Sequence, residues 1–147
     1  MKAQEIRVGN YLAVDGGFQP VSEIEADSCG DYMVNIGGLD PSLKDYCHVE
    51  GCDVKPIPLT EEWLLKFGFN KVVYESTNDD FCDEICYELE YKREFFMSYA
   101  DDFSLALFVD KKTHQEELGI CIDAYHVHQL QNLYFALTGE ELTLKQK

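Results

Sequence analysis

The chain has 147 residues, of which 46% are hydrophobic, so it is long enough and apolar enough to bury a globular core. Its formal net charge is −16, and the resulting field repels nucleic-acid phosphates and anionic membranes. We therefore expect neither a nucleic-acid partner nor a membrane partner.

The amino-terminal segment MKAQEIRVGN has no apolar run of the kind found in secretion signals. No window approaches the roughly 20 apolar residues that a membrane helix needs. These two observations predict a cytoplasmic protein whose cysteines are reduced thiols.

Short strands and tight turns are predicted for the first third of the chain. Tyr11–Val14 is the first strand, and Asp15-Gly16-Gly17 has the composition of a hairpin turn. Phe18–Ile24 is predicted to return as the second strand, and Tyr32–Ile36 is the third. The pattern predicts a small, SH3-like β lobe over residues 1–55.

A short helix and several strands are predicted next. Thr60 precedes two acids and can cap a helix over Glu61–Phe67, which Gly68 ends. Successive strands with polar turns indicate an antiparallel meander. The strand candidates are residues 71–75, 84–92, 103–109 and 119–124.

The main helix is predicted at the carboxyl end of the chain, before Gly139. At ~100° per residue its large apolar side chains fall in one stripe ~120° wide, which is typical of a core-facing helix. That stripe consists of Val127, Leu130, Leu133, Tyr134 and Leu137. The sequence thus predicts an α+β fold, with the meander of a 56–147 lobe packed by this C-terminal helix. A single compact domain is the alternative to two lobes.

The other faces of this helix carry no charge, because residues 125–139 contain no Asp, Glu, Lys or Arg. Uncharged amides suit a surface that is covered yet hydrogen-bonded. Another part of the same chain, a second subunit or a partner protein could cover this uncharged face, or the face could be exposed to solvent. The candidate interaction face consists of His128, Gln131, Asn132 and Phe135.

Two patterns are candidates for metal chemistry. His126 and His128 are two residues apart and could join His114 around an ion. The segment 79–102 is rich in acids, and a few converging carboxylates can hold a catalytic metal. We expect the histidines to be packing residues, the acids to form a solvated face, and the protein to need no cofactor.

Three phrases of the sequence resemble a family of small proteins encoded in Bacteroides-type bacterial genomes and in their phages and prophages. The phrases are IRVGNY at 6–11, PIPLTEEWLLKFGF at 56–69 and VHQLQNLYFALTGEEL at 127–142. The family pattern runs Tyr-Val-His-Gln where this chain has Tyr125-His126-Val127-His128. The resemblance implies no activity.

The sequence favours a non-enzymatic interaction or accessory protein, with the phage origin that the resemblance implies. Its partner would be another protein or a second copy of the chain. The alternative is a metal-dependent enzyme that uses the acidic segment 79–102 or the histidines His114, His126 and His128.

Overall fold

The structure is a computed structural model that describes residues 2–36, 46–49, 54–75, 84–91, 95–100, 105–108 and 124–145. In chain order the strands are β1 (Tyr11–Val14), β2 (Gly17–Pro20), β3 (Glu23–Ala26), β4 (Tyr32–Asn35), β5 (Tyr46–His48), β6 (Asn70–Tyr74), β7 (Glu84–Tyr91), β8 (Phe95–Ala100) and β9 (Leu105–Phe108). The helices are α1 (Glu61–Phe67) and α2 (Val127–Thr138), and a 3-10 turn spans Ala3–Glu5. The predicted α+β class is confirmed.

The first sheet is the predicted hairpin. Val14 pairs with Gly17 across a two-residue turn, and Gly16 in that turn has a φ of 88°, which favours glycine. The predicted strand Phe18–Ile24 is instead divided between β2 and β3. The division follows from a local bulge, because the amide of Ser22 donates to the Asn35 carbonyl while Glu23 lies opposite the same residue.

The second sheet has the order β3-β4-β5, with both pairs antiparallel. Its inner side chains join those of β1 in one apolar core. That core consists of Ile6, Leu12, Val21, Val34, Ile36, Val49 and Val54. An SH3-like closure of these strands remains a prediction.

Helix α1 has its predicted bounds. Gly68 follows it in the left-handed conformation, with a φ of 94°, and donates its amide to the Leu65 carbonyl. Thr60 occupies the N-cap position, but its side chain makes no capping hydrogen bond, so the cap predicted for it is absent. The buried side chains Trp63 and Phe67 anchor the helix.

The third sheet is an antiparallel meander in the order β6-β7-β8-β9. The sequence predicts three of these strands but misses β8, whose residues Phe95–Ala100 show no clean alternation of polar and apolar side chains. Residues 119–123 of the last strand candidate lie outside the described residues.

The chain forms two compact units. The first comprises Met1–Pro58 with His126–Leu142, and the second comprises Leu59–Tyr125 with Thr143–Lys147. This division differs from the predicted one in the position of α2, which belongs with the N-terminal strands and not with the meander. In the part of the chain that is described, neither helix has the length and apolar content of a membrane span.

Candidate functional site

Helix α2 begins where two extended segments of the first unit meet. The Val127 amide donates to the Ile57 carbonyl over 3.0 Å, and Pro58 forms an isolated bridge with His126. The His126 amide donates to Oε1 of Gln129 over 3.1 Å, and Nδ1 of His126 lies 3.2 Å from the same oxygen. Gln129 thus closes the amino end of α2 as the third residue of a capping box.

The buried face of α2 matches only part of the predicted apolar stripe, because Val127, Leu130 and Tyr134 are buried but the other two residues of the stripe are not. Leu133 is only half-buried and Leu137 is 40% exposed. At ~100° per residue, the buried face is rotated by about 80° from the predicted one. The buried side chains are Val127, His128, Leu130, Gln131 and Tyr134.

Gln131 accounts for this rotation. Its side chain is 1% exposed, and its Nε2 group donates to the carbonyls of Gly9 and Leu142, each over 3.1 Å. Its Oε1 atom accepts the Tyr11 amide over 2.8 Å. The three bonds satisfy both amide hydrogens and the amide oxygen, so a polar side chain is buried at little cost.

Asn132 adds a second connection to the N-terminal segment. Its Nδ2 group donates to the Glu5 carbonyl over 2.6 Å, and its Oδ1 atom accepts Nδ2 of Asn10 over 3.0 Å. Asn10 is itself fully buried, and its Oδ1 atom accepts the Arg7 amide. We call these three side chains, Asn10, Gln131 and Asn132, the amide cluster.

Phe135 is covered by Arg7. The guanidinium carbon of Arg7 lies 3.6 Å from the centre of the Phe135 ring, which is a cation–π contact. The same guanidinium donates to Glu141 over 2.8 Å. Both partners are partly exposed, so the ion pair contributes little by itself and serves mainly to hold Arg7 over the ring.

Three residues of the candidate interaction face are thus hydrogen-bonded to, or stacked on, other parts of the first unit. The amides of Gln131 and Asn132 and the ring of Phe135 contact the segment between Glu5 and Tyr11. Of the explanations for the uncharged face, the contacts favour cover by the same chain. The sequence gives no sign of Arg7 and Asn10 as the partners.

His128, the fourth residue of that face, is 1% exposed, and neither of its ring nitrogens has a hydrogen-bond partner among the described residues. Its ring stacks on that of His126 with the ring centres 5.7 Å apart. Burial lowers the pKa of His128 to about 4, and the neighbouring His126 adds to that effect while Glu5 opposes it. His128 is therefore a neutral packing side chain at pH 7.

The described residues include only part of each candidate metal site. His114 and most acids of the segment 79–102 lie outside the described residues, whereas Glu88 is half-buried and Glu90 is exposed on β7. Within the described ranges, no three histidine, cysteine, aspartate or glutamate side chains are grouped so as to hold a metal ion.

Residues 8–36 of the first unit combine negative charge with exposed aromatic rings. Residues 8–36 contain five acids and no lysine or arginine. Tyr32 at the start of β4 is 44% exposed, and Phe18 on β2 is 37% exposed with its ring edge-on to Tyr11 at 5.9 Å. None of the candidate site residues predicted from the sequence lies among these strands, although the stretch without lysine or arginine is visible in the sequence.

The chain was compared with families, curated proteins and solved structures. No family model matches it, and neither a curated protein nor a solved structure does so.

Proposed function

We propose that this chain is a non-enzymatic cytoplasmic protein that acts by binding another protein. The observation that supports the proposal is the strand pair β3 and β4, which carries Glu23 and Glu25 on one face and the exposed Tyr32 ring on the other. Tyrosine is enriched at protein interfaces because its ring buries a large area while its hydroxyl remains hydrogen-bonded. We call the exposed surface formed by β3, β4 and the turn between them the acidic β surface.

The location of this surface differs from the one that the sequence suggests. The uncharged face of α2 uses its amides within the first unit, so a partner that bound there would have to break those hydrogen bonds. The acidic β surface needs no such rearrangement, because Glu25, Ala26 and Tyr32 are exposed. We infer that the three sequence phrases of the resemblance stabilise the fold. A phage-derived accessory protein would then bind its partner through β3 and β4.

Affinity capture from a lysate of the organism that encodes the chain tests this proposal. Wild-type protein is compared with Tyr32→Ser and with Leu65→Ser, a matched control at an exposed apolar residue of α1. We expect wild type and Leu65→Ser to retain the same protein and Tyr32→Ser to retain at least about tenfold less, which corresponds to ~1.4 kcal/mol. Equal retention by both variants, or no specific retention, would contradict the proposal.

Metal analysis addresses the enzymatic alternative directly. Untagged protein purified without chelator should contain no stoichiometric transition metal. One equivalent of bound metal, retained through dialysis, would favour the metal-dependent enzyme instead.

A further inference from the structure

Strand β3 is the edge of its sheet, and the hydrogen bonds show which of its residues face outward. The Asp27 amide donates to the Asp31 carbonyl over 2.8 Å, so Asp27 directs its backbone groups to the β4 side. The Ser22 amide also donates to β4, but Ser22 is the extra residue of the bulge and does not set the alternation along β3. Because backbone groups in an antiparallel strand alternate from side to side, Glu23 and Glu25 also direct theirs to β4.

Ile24 and Ala26 therefore direct their amides and carbonyls away from β4. The strand order β3-β4-β5 makes that side the outer edge of the sheet, and no described strand pairs with it. The β4 residue opposite Ala26 is Tyr32. The exposed Tyr32 ring therefore lies on the strand next to the edge strand. Such an edge can accept a further strand.

Among the described residues of β3 and of the turn that follows it, the charged side chains are all acidic. Glu23 and Glu25 lie on one face of β3, ~7 Å apart as alternate residues of a strand are. Beyond them, the Asp27 carboxylate accepts the amides of Cys29 and Asp31 over 2.7 and 2.9 Å. The Asp31 amide, with that of Cys29, holds the pKa of the Asp27 carboxyl below its usual range, so the charge at this end of β3 persists in mild acid.

We propose that the outer edge of β3 binds an extended, basic segment of the partner protein by strand addition. The backbone of that segment pairs with Ile24 and Ala26, and lysine or arginine of the segment lies beside the exposed Glu25, whereas the Glu23 carboxylate accepts the Tyr46 hydroxyl over 2.9 Å. The inference rests on the proposed function and names the chemistry of its partner. Charge complementarity selects this occupant.

A second copy of the chain is a poor occupant of the same edge. Pairing β3 with β3 of another molecule would bring the acids of both strands together, and like charges on neighbouring strands destabilise a sheet. Each molecule also carries a net charge of −16, which opposes self-association.

A peptide-binding experiment tests the proposal. The probe is a fluorescent peptide of about eight residues in which lysine alternates with valine, long enough to span an edge strand. A second peptide has the same charge but carries N-methyl groups on alternate amides, which prevent strand pairing. Binding is measured by anisotropy, and the binding site is mapped from the amide NMR signals of Ile24 and Ala26.

Two substitutions at one residue provide the matched comparison. Ala26→Pro removes an outward amide that β4 does not use, so the sheet should survive as edge strands tolerate proline. Ala26→Val keeps the amide. Glu25→Lys, which reverses the nearest exposed charge, supports the comparison should the proline variant fail to fold.

We expect Ala26→Pro, Glu25→Lys and N-methylation each to weaken binding at least about tenfold, and Ala26→Val to leave it unchanged. Equal binding of the N-methylated peptide would overturn the proposal, because general charge attraction would then explain the binding. A dimer that Ala26→Pro dissociates would also overturn it and make a second copy the occupant. If the peptide fails to bind while Tyr32→Ser still loses its captured protein, the proposed function stands and the edge assignment fails.

Discussion

At the scale of single residues, α2 contains two buried polar side chains in opposite situations. Gln131 is bonded through every polar hydrogen and its oxygen, whereas both ring nitrogens of His128 lack partners in the described part of the chain. Burying an unpaired polar group costs free energy, and the cost rises sharply once the group is charged. Gln131 thus connects α2 to the backbone of Gly9, Tyr11 and Leu142. Protonation of His128, in contrast, opposes folding.

His128 should make stability depend on pH. In the unfolded chain its pKa is the ordinary 6.5, whereas in the folded chain it is about 4, so the unfolded state binds the proton first as pH falls. The stabilising contribution of neutral His128 is present above pH 6.5 and is lost as the pH falls through about 4. Wild-type unfolding free energy should decrease by up to about 1.4 kcal/mol per pH unit within this window.

The comparison variant is His128→Leu, which replaces the ring with an apolar side chain. Urea unfolding at several pH values should show that the difference between wild type and this variant changes across the window. Parallel curves for wild type and His128→Leu would show that His128 titrates normally.

At the scale of elements, the buried face of α2 combines the hydrogen-bonded Gln131 with apolar side chains such as Leu130. Leu130 is fully buried, whereas Leu133 is only half-buried. Leu130→Ala should therefore cost ~2–5 kcal/mol by leaving a cavity, and Leu133→Ala should cost less than about 1.5 kcal/mol. Thermal or urea unfolding of the two variants measures this, and equal losses would restore the predicted stripe.

Elements with strong local signals were predictable from sequence. The hairpin at Asp15-Gly16-Gly17 and the end of α1 at Gly68 both need a glycine with positive φ, and glycine marks such positions in the sequence. The carboxyl end of α2 was predictable for the same reason, because Gly139 follows it in the left-handed conformation. Strand β8 lacks a comparable signal, since Phe95 and Phe96 are adjacent and break the alternation.

The candidate site could not be predicted in the same way. The spacing of apolar residues predicts a buried helix face that includes Leu133 and Leu137. It does not predict the burial of a glutamine, even one whose side chain hydrogen-bonds three backbone groups. Those groups belong to Gly9, Tyr11 and Leu142, and the first two lie more than a hundred positions from Gln131 in the sequence. Long-range partners of this kind leave no periodic signal, so only the absence of charge in α2 indicated that its polar face is covered.

At the scale of the whole molecule, two of the three resemblance phrases meet in the first unit. Residues of IRVGNY contact VHQLQNLYFALTGEEL through the amide cluster and through Arg7 on Phe135. The third phrase begins at Pro56, and its Ile57 carbonyl accepts the first amide of α2. The residues of these phrases therefore hold the segments of the first unit together.

The most direct test of whether the chain covers its own helix is hydrogen exchange at the Tyr11 amide. This amide donates to the Gln131 side chain, 120 positions away. The Gln131→Met variant keeps the length of the side chain but removes the acceptor, and it leaves three backbone groups unpaired at about 1–3 kcal/mol each. The outward amide of Ala26 is the internal reference for fast exchange.

In wild type, the Tyr11 amide should be protected to about the degree of the Leu130 amide within α2. In Gln131→Met, that protection should be lost while Leu130 stays protected. If the Tyr11 amide exchanges in wild type as fast as the Ala26 amide does, the N-terminal segment does not cover the uncharged face of α2. That face would then again be open to a partner.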